Sequence, residues 1–135
     1  MNIIICIDKN KGMMFNGRRQ SQDSVLREKV LEIAQGAKLM MNAYTAKQFT
    51  DVSGICVSED YFQEAKEGDF CFVEDGVLPN QGIEKFYVFC WNRNYPGDVF
   101  FEYDLKGNGF KKEAKEEFAG SSHDKIFLEV YSKKE

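Results

Sequence analysis

The sequence predicts a single α/β domain over residues 1–135, a mixed β-sheet with flanking helices and a C-terminal antiparallel β-hairpin. Three observations predict it. The run Ile3–Ile7 (IIICI) is continuously apolar and rich in β-branched residues, the mark of a strand buried on both faces. Leu26, Val30 and Ile33 recur at i, i+4 and i+7, which places them on one stripe of a helix. Lys125–Ser132 (KIFLEVYS) alternates, with Ile126, Leu128 and Val130 on one face and Phe127, Glu129 and Tyr131 on the other.

The remaining elements follow in chain order. Asp8–Gly17 reads as a loop by its Lys, Asn and Gly content, with Met13, Met14 and Phe15 an apolar insert. Asp23 or Ser24 can cap the helix, which runs to about Ala34 and stops at Gln35-Gly36. Lys38–Met41 is a short buried strand, followed by a helical turn over Thr45–Phe49 capped by Asn42 or Thr45. Gly54–Val57 and Phe70–Glu74 read as strands around a helical Glu59–Ala65, and Asp75–Gly82 (DGVLPNQG) as a loop. Phe86–Trp91 is an apolar central strand, Asn92–Asp98 a Pro-Gly turn, and Phe110–Phe118 a charged edge strand. Ala119–Asp124 (AGSSHD) joins that edge strand to the last one.

Composition narrows the function classes. Of 135 residues, 43% are hydrophobic, enough for one core, and twelve Phe with six Tyr suit sheet packing. The 18 basic and 22 acidic residues are dispersed and net to −4, which leaves no footprint for nucleic acid or an anionic membrane. No apolar run approaches the ~20 residues that span a bilayer. Met1–Asp8 is too short for a signal peptide and lacks its basic start, so no membrane role is expected. Cys6, Cys56, Cys71 and Cys90 lie in apolar runs without a C-x-x-C pair, and read as buried thiols of a cytoplasmic protein. With His123 as the single histidine, metal sites built on histidine clusters are excluded and no metal is expected. A Ser-His-Asp hydrolase is disfavoured, because G-x-S-x-G is absent and His123 falls in a turn, where a structural, exposed role is expected.

Four segments together resemble the dihydrofolate reductase family. IIICIDKNKGMM (Ile3–Met14) is similar to that family's first strand and following loop. GAKLMMNAYTAKQF (Gly36–Phe49) resembles its second strand and the helix entered through Gly-Arg-x-Thr. KFYVFCWNRNYPGDVFF (Lys85–Phe101) looks like the late strand, hairpin and Gly-Asp-x-x-Phe segment. FKKEAKEEFAGSSHDKIFLEVYSKK (Phe110–Lys134) matches the closing hairpin. Residues 1–49 and 84–101 align with almost no gaps, so the resemblance covers most of the chain and implies a dihydrofolate reductase-like sheet.

The same resemblance implies a site that has lost its chemistry. In the family, one carboxylate on the helix beside the pteridine pocket hydrogen-bonds the pterin ring and helps to protonate the substrate, and Leu26 stands at its place. The threonine that hydrogen-bonds this carboxylate is matched by Phe89, and the pocket-loop tryptophan by Ser21. The pocket is then expected to be lined by Ile4, Cys6, Leu26, Val30 and Phe89. On the cofactor side, the Gly-Gly turn that approaches the NADPH pyrophosphate has no counterpart. DGVLPNQGIE, between Glu74 and Lys85, leaves no room for a central strand-helix segment, which is expected to be lost. The arginine that meets the 2′-phosphate is matched by Ala43, while Thr45 matches a phosphate-contacting threonine and serves equally as an N-cap.

Other residues carry weaker readings. Arg18 and Arg19 can bind an anion, pair with Asp23, or be solvated loop charges. Asp23, three residues before Leu26 on the same helix stripe, is the one carboxylate able to replace the lost acid, although capping is the commoner use. Trp91–Tyr95 can stack on a planar ligand or simply form a turn. Three functions stay open: a non-reducing binder of a small molecule or protein, with no cofactor expected; an NAD(P)H-dependent reductase of a non-folate substrate; and a structural or homodimeric interaction domain. Whether the chain is an enzyme is left undecided by the residues.

Overall fold

The buried run at the N-terminus forms β1 (Asn2–Ile7), the middle strand of a seven-stranded sheet in the computed structural model, which describes residues 1–50, 52–75 and 78–133. Next come a hairpin of β2 (Gly12–Phe15) and β3 (Arg18–Arg19), then helix α1 (Ser24–Ile33) and strand β4 (Leu39–Met41). α2 (Ala43–Ala46), β5 (Ile55–Val57), α3 (Tyr61–Glu64) and β6 (Phe70–Val73) follow. The chain closes with β7 (Lys85–Trp91), β8 (Val99–Phe100), β9 (Phe110–Phe118) and β10 (Ile126–Lys133).

The sheet order is β5-β4-β6-β1-β7-β10-β9. The first five run parallel, β10 adds antiparallel to β7, and β9 pairs antiparallel with β10 at the edge. Because both faces of β1 are covered, Ile4 on one side and Ile3 and Ile5 on the other are fully buried, as a both-faces apolar run requires. The segment between β6 and β7 carries neither strand nor helix among its described residues, while residues 76 and 77 of that expected loop lie outside them. The sheet nevertheless closes, since β6 pairs directly with both β1 and β4. The reduction therefore falls on the crossover, not on the sheet centre.

Side chains alternate between two layers. On one face α1 lays Leu26 and Val30 onto Ile4, Phe72, Phe89 and Leu128, all buried. Gly36, at φ +83°, takes the left-handed conformation just past the helix end. The other face carries Ile3, Ile5, Val73, Phe86 and Val88. It is covered by α3 and by the chain from β8 to the start of β9, irregular between Phe101 and Gly109. There Phe86 meets Tyr103 and Phe110 at 5.0 Å and Phe101 at 6.0 Å between ring centroids.

One expectation is corrected here. Asp8–Gly17 is not simply a loop: Gly12–Phe15 is strand β2, and with β3 and β8 it builds a second, three-stranded sheet. Asn16 and Gly17 sit between Phe15 and Arg18 with φ of 52° and 71°, the conformation of a two-residue hairpin turn. The turn over Thr45–Phe49 is likewise helical over Ala43–Ala46, with Asn42 as the cap.

Candidate functional site

Open α/β sheets place their crevices at the carboxyl ends of parallel strands. Here those ends are Cys6 on β1, Phe72 and Glu74 at β6, and Trp91 on β7. The cleft above them is closed by Arg19 of β3, by Gln20–Asp23 from the chain between β3 and α1, by Leu26, and by Gln48. Its free volume is about 20 Å³, room for about one water molecule.

Two features fill it. Leu26 is buried on its wall, above a layer in which Ile4, Val30 and Phe89 are completely inaccessible. Of the five expected lining residues, Cys6 and Leu26 thus reach the wall, and the other three lie in the core beneath it. Across the cleft, Arg19 makes a bidentate pair with Glu74, with Nε to Oε2 at 2.9 Å and Nη2 to Oε1 at 3.1 Å. The same guanidinium donates to the Tyr44 carbonyl at 3.0 Å and stacks on the Tyr44 ring, while the Arg19 backbone N–H donates to the Tyr44 hydroxyl. Arg19 is consumed by the protein itself. Arg18 is exposed on the outer side of the β2–β3 hairpin.

Asp23 serves α1 and the 120s loop. Its Oδ1 accepts from the backbone N–H groups of Val25, Leu26 and Ser121. Its Oδ2 accepts from the N–H and hydroxyl of Ser122. Burial alone would raise its pKa, but the N–H groups of Ser121, Ser122 and Leu26 with the Ser122 hydroxyl outweigh burial and hold it well below the carboxylate range.

His123 is not exposed, contrary to its reading as a turn residue: it is 5% accessible and stacked on Trp91 at 4.4 Å between centroids. Nδ1 meets the Ser122 hydroxyl at 2.9 Å and lies 3.6 Å from Asp23 Oδ2. Nε2 meets the Tyr95 hydroxyl at 2.6 Å, with Ser21 Oγ further away at 3.3 Å. Serine, histidine and aspartate are thus neighbours, yet the shorter contact at Nε2 belongs to Tyr95. The imidazole ties the turn after β7 to the loop after β9 rather than activating Ser21. Burial, with Glu74 and Cys90 nearby, pushes the pKa of the Cys6 thiol well up.

Thr45 is fully buried, and its Oγ1 has no hydrogen-bond partner among the described residues. It does not cap α2, since Asn42 Oδ1 accepts the Thr45 N–H at 2.8 Å. At the first turn of α2, Glu59 Oε2 accepts the Ala43 N–H at 2.9 Å. A carboxylate of the chain therefore occupies the place where a phosphate would dock. A nicotinamide nucleotide's phosphate would have to displace Glu59 to reach this N–H. Among the described residues, no cluster of His, Cys, Asp and Glu could hold a metal, and no helix is long and apolar enough to cross a membrane.

Sheet order, α1 over one face, and a cleft at the carboxyl ends of β6, β1 and β7 define a dihydrofolate reductase-like fold. Dihydrofolate reductase from Enterococcus faecalis, solved in complex with NADP(H) and RAB-propyl, is similar over 99% of this chain and 96% of its own, with a TM-score of 0.69. Sequence identity is 14%, so the likeness is one of fold. No family model matches the chain, and neither does any curated protein.

His123 and the Arg19–Glu74 pair were missed by sequence reasoning. The Asn-Gly turn was a usable signal for Arg19, since a hairpin there aims the chain back at the sheet. Glu74 carried none, because its partner lies 55 residues away.

Proposed function

We propose that this chain is a binding protein on a dihydrofolate reductase-like fold that does not reduce folates, working in the cytoplasm. The observation that carries the reading is the filled cleft: Leu26 stands where a carboxylate would be needed, and the Arg19–Glu74 pair leaves room for about one water. A pterin ring cannot enter without displacing both. The reductase alternative, with Asp23 as proton donor, is disfavoured by the five hydrogen bonds that hold this carboxylate ionised. Four free thiols accord with a reducing compartment.

The test is calorimetric titration with NADPH and with dihydrofolate, alongside an assay for NADPH oxidation. Neither ligand is expected to give binding heat, and no turnover is expected. Micromolar binding of both, or measurable NADPH oxidation, would overturn the reading.

A further inference from the structure

One open, largely apolar groove lies on the face of the sheet opposite α1. It holds about 530 Å³ and runs between β7, β10 and β9 on one side and the chain from Phe101 to Lys106 on the other. That volume is within the range of small-molecule sites. Ile7, Val88, Phe110 and Tyr131 line the sheet side, and Phe101 and Tyr103 the loop side. Tyr103 and Tyr131 are only half-buried, so ring surface is presented to the groove.

The rim carries an excess of positive charge. Four lysines, Lys11, Lys106, Lys111 and Lys112, border the groove against two carboxylates, Asp104 and Glu129, in a chain whose net charge is −4. Glu129 is already neutralised by Lys112 at 2.8 Å and bound by the Tyr131 hydroxyl at 2.9 Å. Asp104 caps its own turn by accepting the Gly107 N–H. Lys11, Lys106 and Lys111 have no ion-pair partner among the described residues. Lys11 is also held at φ +63° by bonds from its own N–H to Asp8 and to its carbonyl from Phe101, a conformation that glycine adopts more cheaply.

From this complementarity we infer that the groove binds a small aromatic anion, its ring on Tyr103, Tyr131 and Phe110 and its negative group among Lys11, Lys106 and Lys111. Flat aromatic walls select a planar ring, and exposed ammonium groups without ion-pair partners at the rim select carboxylate, sulfonate or phosphate. This rests on the reading of the chain as a binding protein and names the site and ligand class. It is tested separately, because the nucleotide and folate titrations probe only the sealed cleft.

The probe is 8-anilinonaphthalene-1-sulfonate, with its uncharged counterpart N-phenyl-1-naphthylamine as the control. The sulfonate is expected to bind with enhanced emission and to shift the Val88 methyl and Tyr131 ring resonances. The Lys106→Glu/Lys111→Glu variant is expected to weaken it at least tenfold with near-ultraviolet circular dichroism unchanged, and Lys29→Glu, on α1, to leave it unaltered. Added sodium chloride is expected to weaken it as well. Equal affinity for both probes, indifference to the lysine substitutions, or shifts confined to α1 would overturn the inference. So would a dimer in sedimentation whose formation covers the groove and abolishes probe binding.

Discussion

The two faces of the central sheet are covered by different means, and the contrast explains where this molecule is closed and where it is open. Under α1, a regular helix sets Leu26 and Val30 onto Ile4, Phe72 and Phe89 with no exposed apolar surface between them. On the opposite face the covering is irregular chain, pinned by the contacts of Phe86 with Phe101, Tyr103 and Phe110. A helix stripe matches a sheet over several turns, whereas a loop touches it at the points where its own rings land. The gap between those points is the groove beside Val88 and Tyr131.

Neighbouring residues on β7 give the largest test of that contrast. Phe89 points under α1 and Val88 toward the groove. Phe89→Ala is expected to cost about 3–5 kcal/mol, since the closed layer cannot collapse around the cavity. Val88→Ala is expected to cost about 1–2 kcal/mol, because water from the groove can occupy the space. Urea unfolding of both variants measures it, and equal losses would erase the distinction.

The next effect concerns how the cleft stays shut. Arg19 and Glu74 are 13% and 10% exposed at their side chains, so neither charge is free to rehydrate in place. Glu74→Gln or Arg19→Gln alone is expected to cost about 2–3 kcal/mol by leaving the other charge without its partner. The double variant is expected to lose less than the two single losses added together. Strict additivity would show that the pair does not act as one unit.

How much of this was legible in the sequence follows from the range of each interaction. β1, α1 and β10 were readable because their periodicity is local and their partners are many. Asp23 as a cap was readable for the same reason, three residues from the N–H it accepts. Leu26 and Phe89 were legible only through the resemblance, which supplies the residues that a reductase needs there. Burial of His123 was not legible. It depends on Trp91 and Tyr95, about thirty residues away, folding over a turn whose composition is polar. The groove was hidden for a related reason: it is space left between elements, and no stretch of sequence encodes it. Its lysines look like ordinary solvated charges until Glu129 takes up Lys112 and leaves the others unpaired.

The smallest effect separates the faces by electrostatics. Asp23 on the closed side and Glu129 on the open side both have pKa values below the usual range, but for different reasons. In each, burial works upward; at Asp23 it is overcome by neutral N–H and O–H donors, at Glu129 by Lys112, Tyr131 and Lys115. A carboxylate depressed in the folded state stabilises it above the unfolded pKa, near 4, and that contribution is lost as pH falls below it. Both residues should therefore steepen the fall of Tm between about pH 4 and pH 2. Asp23→Asn is expected to cost about 1–2 kcal/mol at neutral pH and to flatten that acid slope. Salt should leave the Asp23 contribution nearly unchanged, because dipoles of fixed donors are not screened as mobile ammonium groups are, whereas the Glu129 contribution should shrink in half-molar sodium chloride. An acid slope in Asp23→Asn equal to that of the parent chain would mean that the five donors around this carboxylate do not set its ionisation, and the closed face would then owe its stability to packing alone.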